Sequence, residues 1–258
     1  MENVAYRGFS AVTPENTLTS FRRAAQAGCR RIATELRLSR DAQIFCFADP
    51  SLHRVTGTHG WLHRLEAEDI RRRPVPFGGN AFRVERIAPL DGLLAFADGE
   101  ELGLLLSIPS GTSPRWRNLA EPTTDAVLAA LDPWRGRIDI LLASADRRIL
   151  RRLKERSKWP VGALVDRSVD GFHQLDEPRI DFLVGDRKIF VSPHRRRHPD
   201  DFLHGGLELL DECRRLGRRF YLGPVRKRAE LRRLLRLEPD GLLTPHTAQL
   251  EALRHSPE

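Results

Sequence analysis

Val4-Ala5-Tyr6-Arg7-Gly8, running on through Thr13-Pro14-Glu15-Asn16-Thr17-Leu18, is the stretch on which the reading of this chain turns. The short apolar run is an extended strand that delivers Tyr6 and Arg7 to its carboxyl end. Gly8 permits a sharp exit, because a residue without a Cβ enters backbone conformations closed to others. Thr13 then reads as a helix N-cap, with Pro14 at the first helical position. Leu18, Phe21, Ala24 and Ala25 recur at helical spacing, and Gly28 closes the run.

The same alternation of strand and helix continues to the end of the chain, which argues an α/β fold with a parallel sheet. Eight apolar segments qualify as strands: Val4–Tyr6, Arg31–Leu38, Leu102–Ile108, Ile138–Ala143, Val161–Val165, Ile180–Val184, Phe220–Leu222 and Gly241–Leu243. Amphipathic segments fall between them at Leu90–Ala97, Thr124–Leu131, Arg147–Arg156, Phe202–Leu216 and Ala229–Leu235. Eight such strands in a chain of 258 residues fit a (β/α)8 TIM barrel in a single domain, 1–258. An open doubly wound sheet is the alternative, and the lack of a Gly-x-Gly-x-x-Gly turn after any strand counts against it.

One excursion interrupts the alternation, from Ala42 to Ala88. It begins with a strand, Ile44–Phe47, and ends in a Pro- and Gly-rich loop, Pro74 to Asn80. An insertion of this length after the second strand would lie at the carboxyl face of the barrel and shape a binding site there.

Composition bounds the rest. Hydrophobic content of 40% and charged content of 30% are those of a soluble globular protein. No apolar run is long enough to cross a bilayer, and no basic segment followed by an apolar stretch opens the chain, so a cytoplasmic location is expected. Cys29, Cys46 and Cys213 are far apart and lack ligand spacing; the first two read as buried thiols. The net charge of +8 favours anionic partners. The arginine pairs are scattered without interleaved aromatics, so no nucleic-acid binding is expected.

Beyond its opening, the chain carries Ile32-Ala33-Thr34-Glu35-Leu36-Arg37-Leu38-Ser39-Arg40-Asp41, then Phe45-Cys46-Phe47-Ala48-Asp49 and Leu52-His53-Arg54-Val55-Thr56-Gly57. Later come Ile87-Ala88-Pro89-Leu90 and Pro239-Asp240-Gly241-Leu242-Leu243-Thr244. In this order, and together with Arg7-Gly8 and Pro14-Glu15-Asn16-Thr17, these stretches resemble the glycerophosphodiester phosphodiesterase family over nearly the whole chain. The resemblance implies a TIM barrel in which carboxylates hold a divalent metal, Ca²⁺ or Mg²⁺. Two histidines would move protons during hydrolysis of a phosphodiester.

Position by position, the resemblance places Tyr6 and Ala48 where the family has its two histidines. Ala33 and Glu35 stand at its first two metal carboxylates. Ser107-Ile108-Pro109 stands at a Glu-x-Lys, and Gly223-Pro224-Val225-Arg226 at a Trp-Thr-Val-Asn. Arg7, Glu15, Asn16, Glu35, Asp49 and Thr56 match. One surviving carboxylate is too few for an ion that takes its binding strength from several converging oxygens. Loss of one proton-transfer group costs roughly 10²–10⁴ in rate.

Each candidate has a second reading. Tyr6 is either a hydrogen-bond donor or acid, or an aromatic plug. Arg7 either clamps an anion or makes a salt bridge to Glu35 or Asp49. Glu35 and Asp49 either work as an acid/base pair or are neutralised by Arg7 or Arg37. His53, His59 and His63 in the excursion, and His194 and His198 after the sixth strand, read as surface loops.

The expectation is therefore a pseudoenzyme of this fold, without metal-dependent hydrolysis and with no cofactor. Its pocket would bind a small anionic or phosphorylated ligand through Arg7, Ser107 and Asn16, or the chain would serve a protein partner. The alternative is a metal-independent enzyme in which Tyr6, Glu35 and Asp49 carry catalysis. A second alternative is an active hydrolase with displaced ligands, Glu35 among them, around Ca²⁺ or Mg²⁺.

Overall fold

The structure, a computed structural model, describes residues 1–77, 80–109, 114–175, 180–190 and 203–255. In chain order the strands are β1 (Glu2–Tyr6), β2 (Arg31–Leu38), β3 (Ile44–Cys46), β4 (Pro74–Phe77), β5 (Asn80–Arg86), β6 (Gly103–Ser107), β7 (Ile140–Ser144), β8 (Val161–Val165), β9 (Phe182–Gly185), β10 (Arg219–Leu222) and β11 (Gly241–Thr244). The helices are α1 (Leu18–Gln26), α2 (His53–Thr56), α3 (Ala67–Arg72), α4 (Leu90–Gly99), α5 (Pro114–Leu131), α6 (Arg147–Arg156), α7 (Ser168–Leu175), α8 (His204–Arg215), α9 (Arg228–Leu235) and α10 (Thr247–His255).

Strands β1, β2 and β6 to β11 pair in parallel and close into a ring, because β1 bonds both β11 and β2. Val4 lies opposite Leu243 on one side, and Ala5 opposite Ile32 on the other. This is the (β/α)8 barrel expected from the eight apolar runs. The runs are continuous rather than alternating because both faces of each strand are covered. Val4, Ala33, Leu105, Leu141, Phe182 and Tyr221 fill the inside. Ile32, Leu104, Leu106, Ile140 and Leu142 belong to the outer core beneath the helices. Phe182 and Tyr221 meet edge to face, 5.6 Å between centroids. Gly162 makes room for them: a Cβ there would stand 2.3 Å from the Phe182 ring.

The first turn departs from expectation. Helix α1 begins at Leu18 with Thr17 as its cap, whose Oγ1 accepts the Ser20 amide at 3.1 Å. Asn16, at φ 56°, lies in the left-handed region and stops any helix from starting at Pro14. Thr13 instead donates its hydroxyl to the Phe9 carbonyl at 2.7 Å. Phe21 and Ala24 are buried, but Leu18 remains 37% exposed. Gly8 takes φ 78° as the sharp exit requires, and a Cβ on it would lie 2.3 Å from Ser20 Oγ.

Helix α5 begins ten residues before the expected Thr124, running on through Pro122. A proline removes one helical hydrogen bond without always ending a helix. Helices α7 and α10 were not foreseen. The excursion contains β3, which pairs antiparallel with β2, then α2, α3 and the β4–β5 hairpin. The hairpin replaces the expected loop at Pro74 to Asn80. Prolines are tolerated on a strand at a sheet edge, and Val75 between two of them is buried. Phe45, Phe47, Leu52, Leu62, Ile70, Val75 and Ile87 give the excursion a small core of its own. His194 and His198 lie outside the described residues.

Candidate functional site

In a parallel barrel every strand points its carboxyl end at the same mouth, so the residues that end or follow the strands converge. A cavity of about 490 Å³ occupies that mouth. Its floor is apolar, from Ala33, Leu105, Leu164, Val184 and Leu243. Its polar rim comes from strand ends around the ring: Tyr6 and Arg7 of β1, Glu35 of β2, Ser107 of β6, and Asp166 and Asp186 just past β8 and β9. Asp49, from the excursion, completes it.

Arg7 is the pivot. It is 8% exposed and takes φ 60°, a left-handed conformation disfavoured for a residue with a side chain. Its amide donates to the Ala33 carbonyl at 2.7 Å. Its own carbonyl accepts the Asn16 amide and the Ser20 hydroxyl, each at 3.1 Å. Strand β2 and the start of α1 thus over-determine the conformation, as strained residues require.

So held, the guanidinium reaches Glu35 as a fork. Nε donates to Glu35 Oε2 at 3.0 Å, and Nη2 to Oε1 at 2.6 Å. Tyr6 donates its phenol proton to the same Oε1 at 2.8 Å. The remaining Arg7 nitrogen, Nη1, donates to Glu15 Oε1 at 2.9 Å. Arg54 grips Glu15 by both oxygens, at 2.9 and 2.6 Å, and also bonds Asp49. Arg37 donates twice to the Ala48 carbonyl, at 3.1 and 2.6 Å.

Protonation follows from these contacts. Burial, and then the Glu35 carboxylate, hold the Tyr6 phenol far above its ordinary value despite Arg7 and Arg226. Burial also works against ionised Glu15, but Arg54 and Arg7 outweigh it and hold the carboxyl below its usual range. Burial lowers Arg37 to about 10, against the pull of Glu35 and Asp49. Tyr6 is therefore a proton donor in hydrogen bonds at neutral pH and not a base.

Tyr6, Arg7 and Glu35 form one network, and Asp49 joins it through Arg54 and Glu15. Ser107 lines the cavity and directs its hydroxyl to the Thr34 carbonyl at 3.4 Å. Asn16 lies behind the wall, its Oδ1 accepting the Thr34 hydroxyl at 2.8 Å. The His53 and His59 rings meet at a tilt, 5.4 Å between centroids, in the excursion and away from the cavity lining. Asp49 bonds Arg54, five residues along the chain, and also feels the charge of Arg37, one of the two arginines expected to neutralise it. Asp166 and Asp186 were not anticipated. Their signal was available: each directly follows an apolar strand, the position that faces the mouth of a barrel.

Comparison with known proteins gives a consistent picture. Residues 7–249 match the model of the glycerophosphoryl diester phosphodiesterase family. A glycerophosphodiester phosphodiesterase of Caldanaerobacter subterraneus subsp. tengcongensis is 22% identical over 243 residues, 93% of this chain and 92% of that protein. The barrel superposes on a phosphodiesterase of Oleispira antarctica, solved with the product sn-glycerol-3-phosphate, with a TM-score of 0.83 at 19% identity, covering 98% of this chain and 96% of that one. A putative glycerophosphoryl diester phosphodiesterase from Silicibacter pomeroyi gives a TM-score of 0.80 at 18% identity, covering 97% and 91% of the two chains.

Proposed function

The chain belongs to the glycerophosphoryl diester phosphodiesterase family, and we propose that it is a member without metal-dependent hydrolysis that keeps its barrel cavity for a small anionic ligand. One observation carries this reading: both oxygens of Glu35 are already engaged by Arg7 and Tyr6 of the same chain. A divalent cation of the Ca²⁺ or Mg²⁺ kind requires several free oxygens converging on one point. Here positions 33 and 48 beside Glu35 are alanines, and Asp49 is turned to Arg54. Among the described residues, no three His, Cys, Asp or Glu side chains gather as such a site. These residues do not fit a resident divalent cation. The Arg7 guanidinium engages both oxygens of Glu35.

What this chain's own residues do is electrostatic and positional. Arg7 neutralises Glu35 inside a partly buried pocket, which removes the cost of an unpaired carboxylate. Tyr6 fills the mouth beside it and remains protonated. Tyr6, held protonated, does not act as a proton acceptor here. The relative from Oleispira antarctica was solved with sn-glycerol-3-phosphate, so that anion is the first ligand to try on this protein.

The test is thermal unfolding with and without millimolar Ca²⁺, Mg²⁺ and Mn²⁺, with glycerophosphodiester hydrolysis assayed in the same tubes. A ligand that binds only the native state raises the melting temperature by mass action. No metal-dependent shift and no turnover are expected. A clear shift together with turnover that Glu35→Ala abolishes would overturn the proposal.

A further inference from the structure

The charges at the cavity mouth do not cancel uniformly around the ring. On the β1 and β2 side, Arg7, Arg37 and Arg54 face Glu15, Glu35 and Asp49. Three guanidiniums balance three carboxylates, and both Arg7 and Arg54 are held in ion pairs. Arg7, the residue from which an anion contact was first expected, therefore offers no uncommitted donor fork. One further arginine reaches this wall. The guanidinium carbon of Arg226 stands 5.4 Å from the centroid of the Tyr6 ring, and that ring lines the cavity. Its side chain is exposed and forms no ion pair among the described residues.

The segment carrying Arg226 is firmly placed. Gly223 and Pro224, at the end of β10, line the cavity themselves. The Val225 amide donates to the Leu243 carbonyl at 2.8 Å, and the Val225 carbonyl accepts the Thr244 hydroxyl at 2.8 Å. His246 Nε2 lies 2.8 Å from the Arg226 carbonyl, a contact in which the ring nitrogen donates. The backbone is thus tied to β11, and the guanidinium rests against an aromatic face. A planar cation on a ring is partly pre-organised, so it loses less freedom on binding an oxyanion than a free side chain would. The ends of β8 and β9, the latter paired with β10, carry the carboxylates Asp166 and Asp186. Those repel negative charge and favour an anion on the β1 side of Arg226, at the Tyr6 ring.

We propose that Arg226, stacked against Tyr6, is the residue that holds the oxyanion of the ligand, a phosphate or carboxylate group, at the mouth of the barrel. This rests on the anion-binding reading above and moves its contact from Arg7 to Arg226. The ligand's remaining body would extend over the apolar floor.

The experiment is titration calorimetry of the whole protein with two probes, sn-glycerol 3-phosphate and glycerate, which separate a phosphate from a carboxylate preference. Arg226→Gln is compared with wild type and with Lys227→Gln, a neighbouring cation that does not reach the ring. Because Arg226 is exposed, the variant should melt with the wild type, which the same samples verify. Arg226→Gln is expected to weaken the better probe about tenfold or more, the size of a lost charge-assisted hydrogen-bond pair. Lys227→Gln should stay within about threefold, as for a rim charge. Tyr6→Leu, which removes the platform, should also weaken binding. If wild type binds and Arg226→Gln binds equally well, the assignment to Arg226 falls while the anion pocket stands. Equal losses in Arg226→Gln and Lys227→Gln would likewise overturn it in favour of a diffuse basic rim. If wild type binds neither probe at millimolar concentration, both this inference and the anion-binding reading fail.

Discussion

Tyr6 shows how one residue's surroundings set its chemistry. A phenol loses its proton at a pH of about 10 in water. Here the ring is partly buried and its oxygen donates to Glu35, so ionisation would place two negative charges side by side in a poorly solvated spot. Tyr221, the other tyrosine of the chain, is also raised by burial, inside the barrel. Ultraviolet titration of the folded protein should therefore show less tyrosinate near pH 10.5 than the unfolded chain, whose tyrosines, with a pKa of about 10, are mostly ionised there. Unfolding in guanidinium should restore the ordinary titration. In a Tyr221→Phe variant, a remaining tyrosine half-titrated near pH 10 would show that the Tyr6–Glu35 contact is wrong. The sign for stability follows: a folded-state value above the unfolded one contributes fully below the unfolded value and is lost as pH rises through the folded one. Alkaline conditions should therefore destabilise this protein. Most of this was not legible in the chain. The sequence placed Tyr6 at a strand end, but only the fold brought Glu35 within 2.8 Å of its hydroxyl.

At the scale of elements, the turn between β1 and α1 and the inside of the barrel both give measurable expectations. The helix cap is Thr17 and not Thr13, because Asn16 interrupts the helical backbone between them. Thr17→Ala should cost about 1 kcal/mol in urea unfolding, the usual worth of such a cap. An unchanged midpoint would show that the cap contributes nothing. Gly162 on β8 faces Phe182 on β9 with no space for a methyl group. Gly162→Ala should cost about 1–3 kcal/mol through overpacking. A neutral effect would mean that the Phe182–Tyr221 pair can shift aside. Strand positions were the most legible feature of this chain, since buried parallel strands are uninterrupted apolar runs. Helix α10 was harder, since its polar residues, such as Gln249 and Arg254, blur the helical period. The hairpin at Pro74–Phe77 was hidden by its prolines, which signal a loop unless the strand lies at an edge.

Across the whole molecule, several arginines tie elements of the barrel together. Arg31, 3% exposed at the start of β2, joins Glu2 of β1 to Asp139 just before β7. Arg152 and Arg156 of α6 converge on Asp125 of α5. Their partners hold low pKa values: Asp125 chiefly through Arg152, and Glu212 through Arg215. Glu15 joins them, with Arg54 and Arg7 outweighing burial. Folded-state values below the unfolded ones, about 3.9 for Asp and 4.3 for Glu, contribute fully above that range and are lost as pH falls through the folded values. The melting temperature should hold steady from about pH 8 to 5 and fall steeply below about pH 4. Arg54→Gln should lower the melting temperature above about pH 5 and make the fall below it shallower, because Glu15 then no longer holds a depressed value in the folded state. A flat profile down to about pH 3 would rule out these pairs as contributors.

The amino-acid sequence by itself determined the barrel, the mouth as the place of any site, and the positions of Tyr6, Arg7, Glu35 and Asp49 on it. Those depend on local order: apolar runs, turn residues, and the rule that strand ends converge. The tertiary structure alone decided which charges meet. It paired Arg7 with Glu35 and Glu15, gave Asp49 to Arg54, set Arg226 against Tyr6, and brought Asp166 and Asp186 to the same rim. Charge pairing is a matter of ångströms between residues far apart in the chain, and electrostatic energy changes steeply over that distance. Spacing along a sequence carries no such distances until the ring of strands has closed.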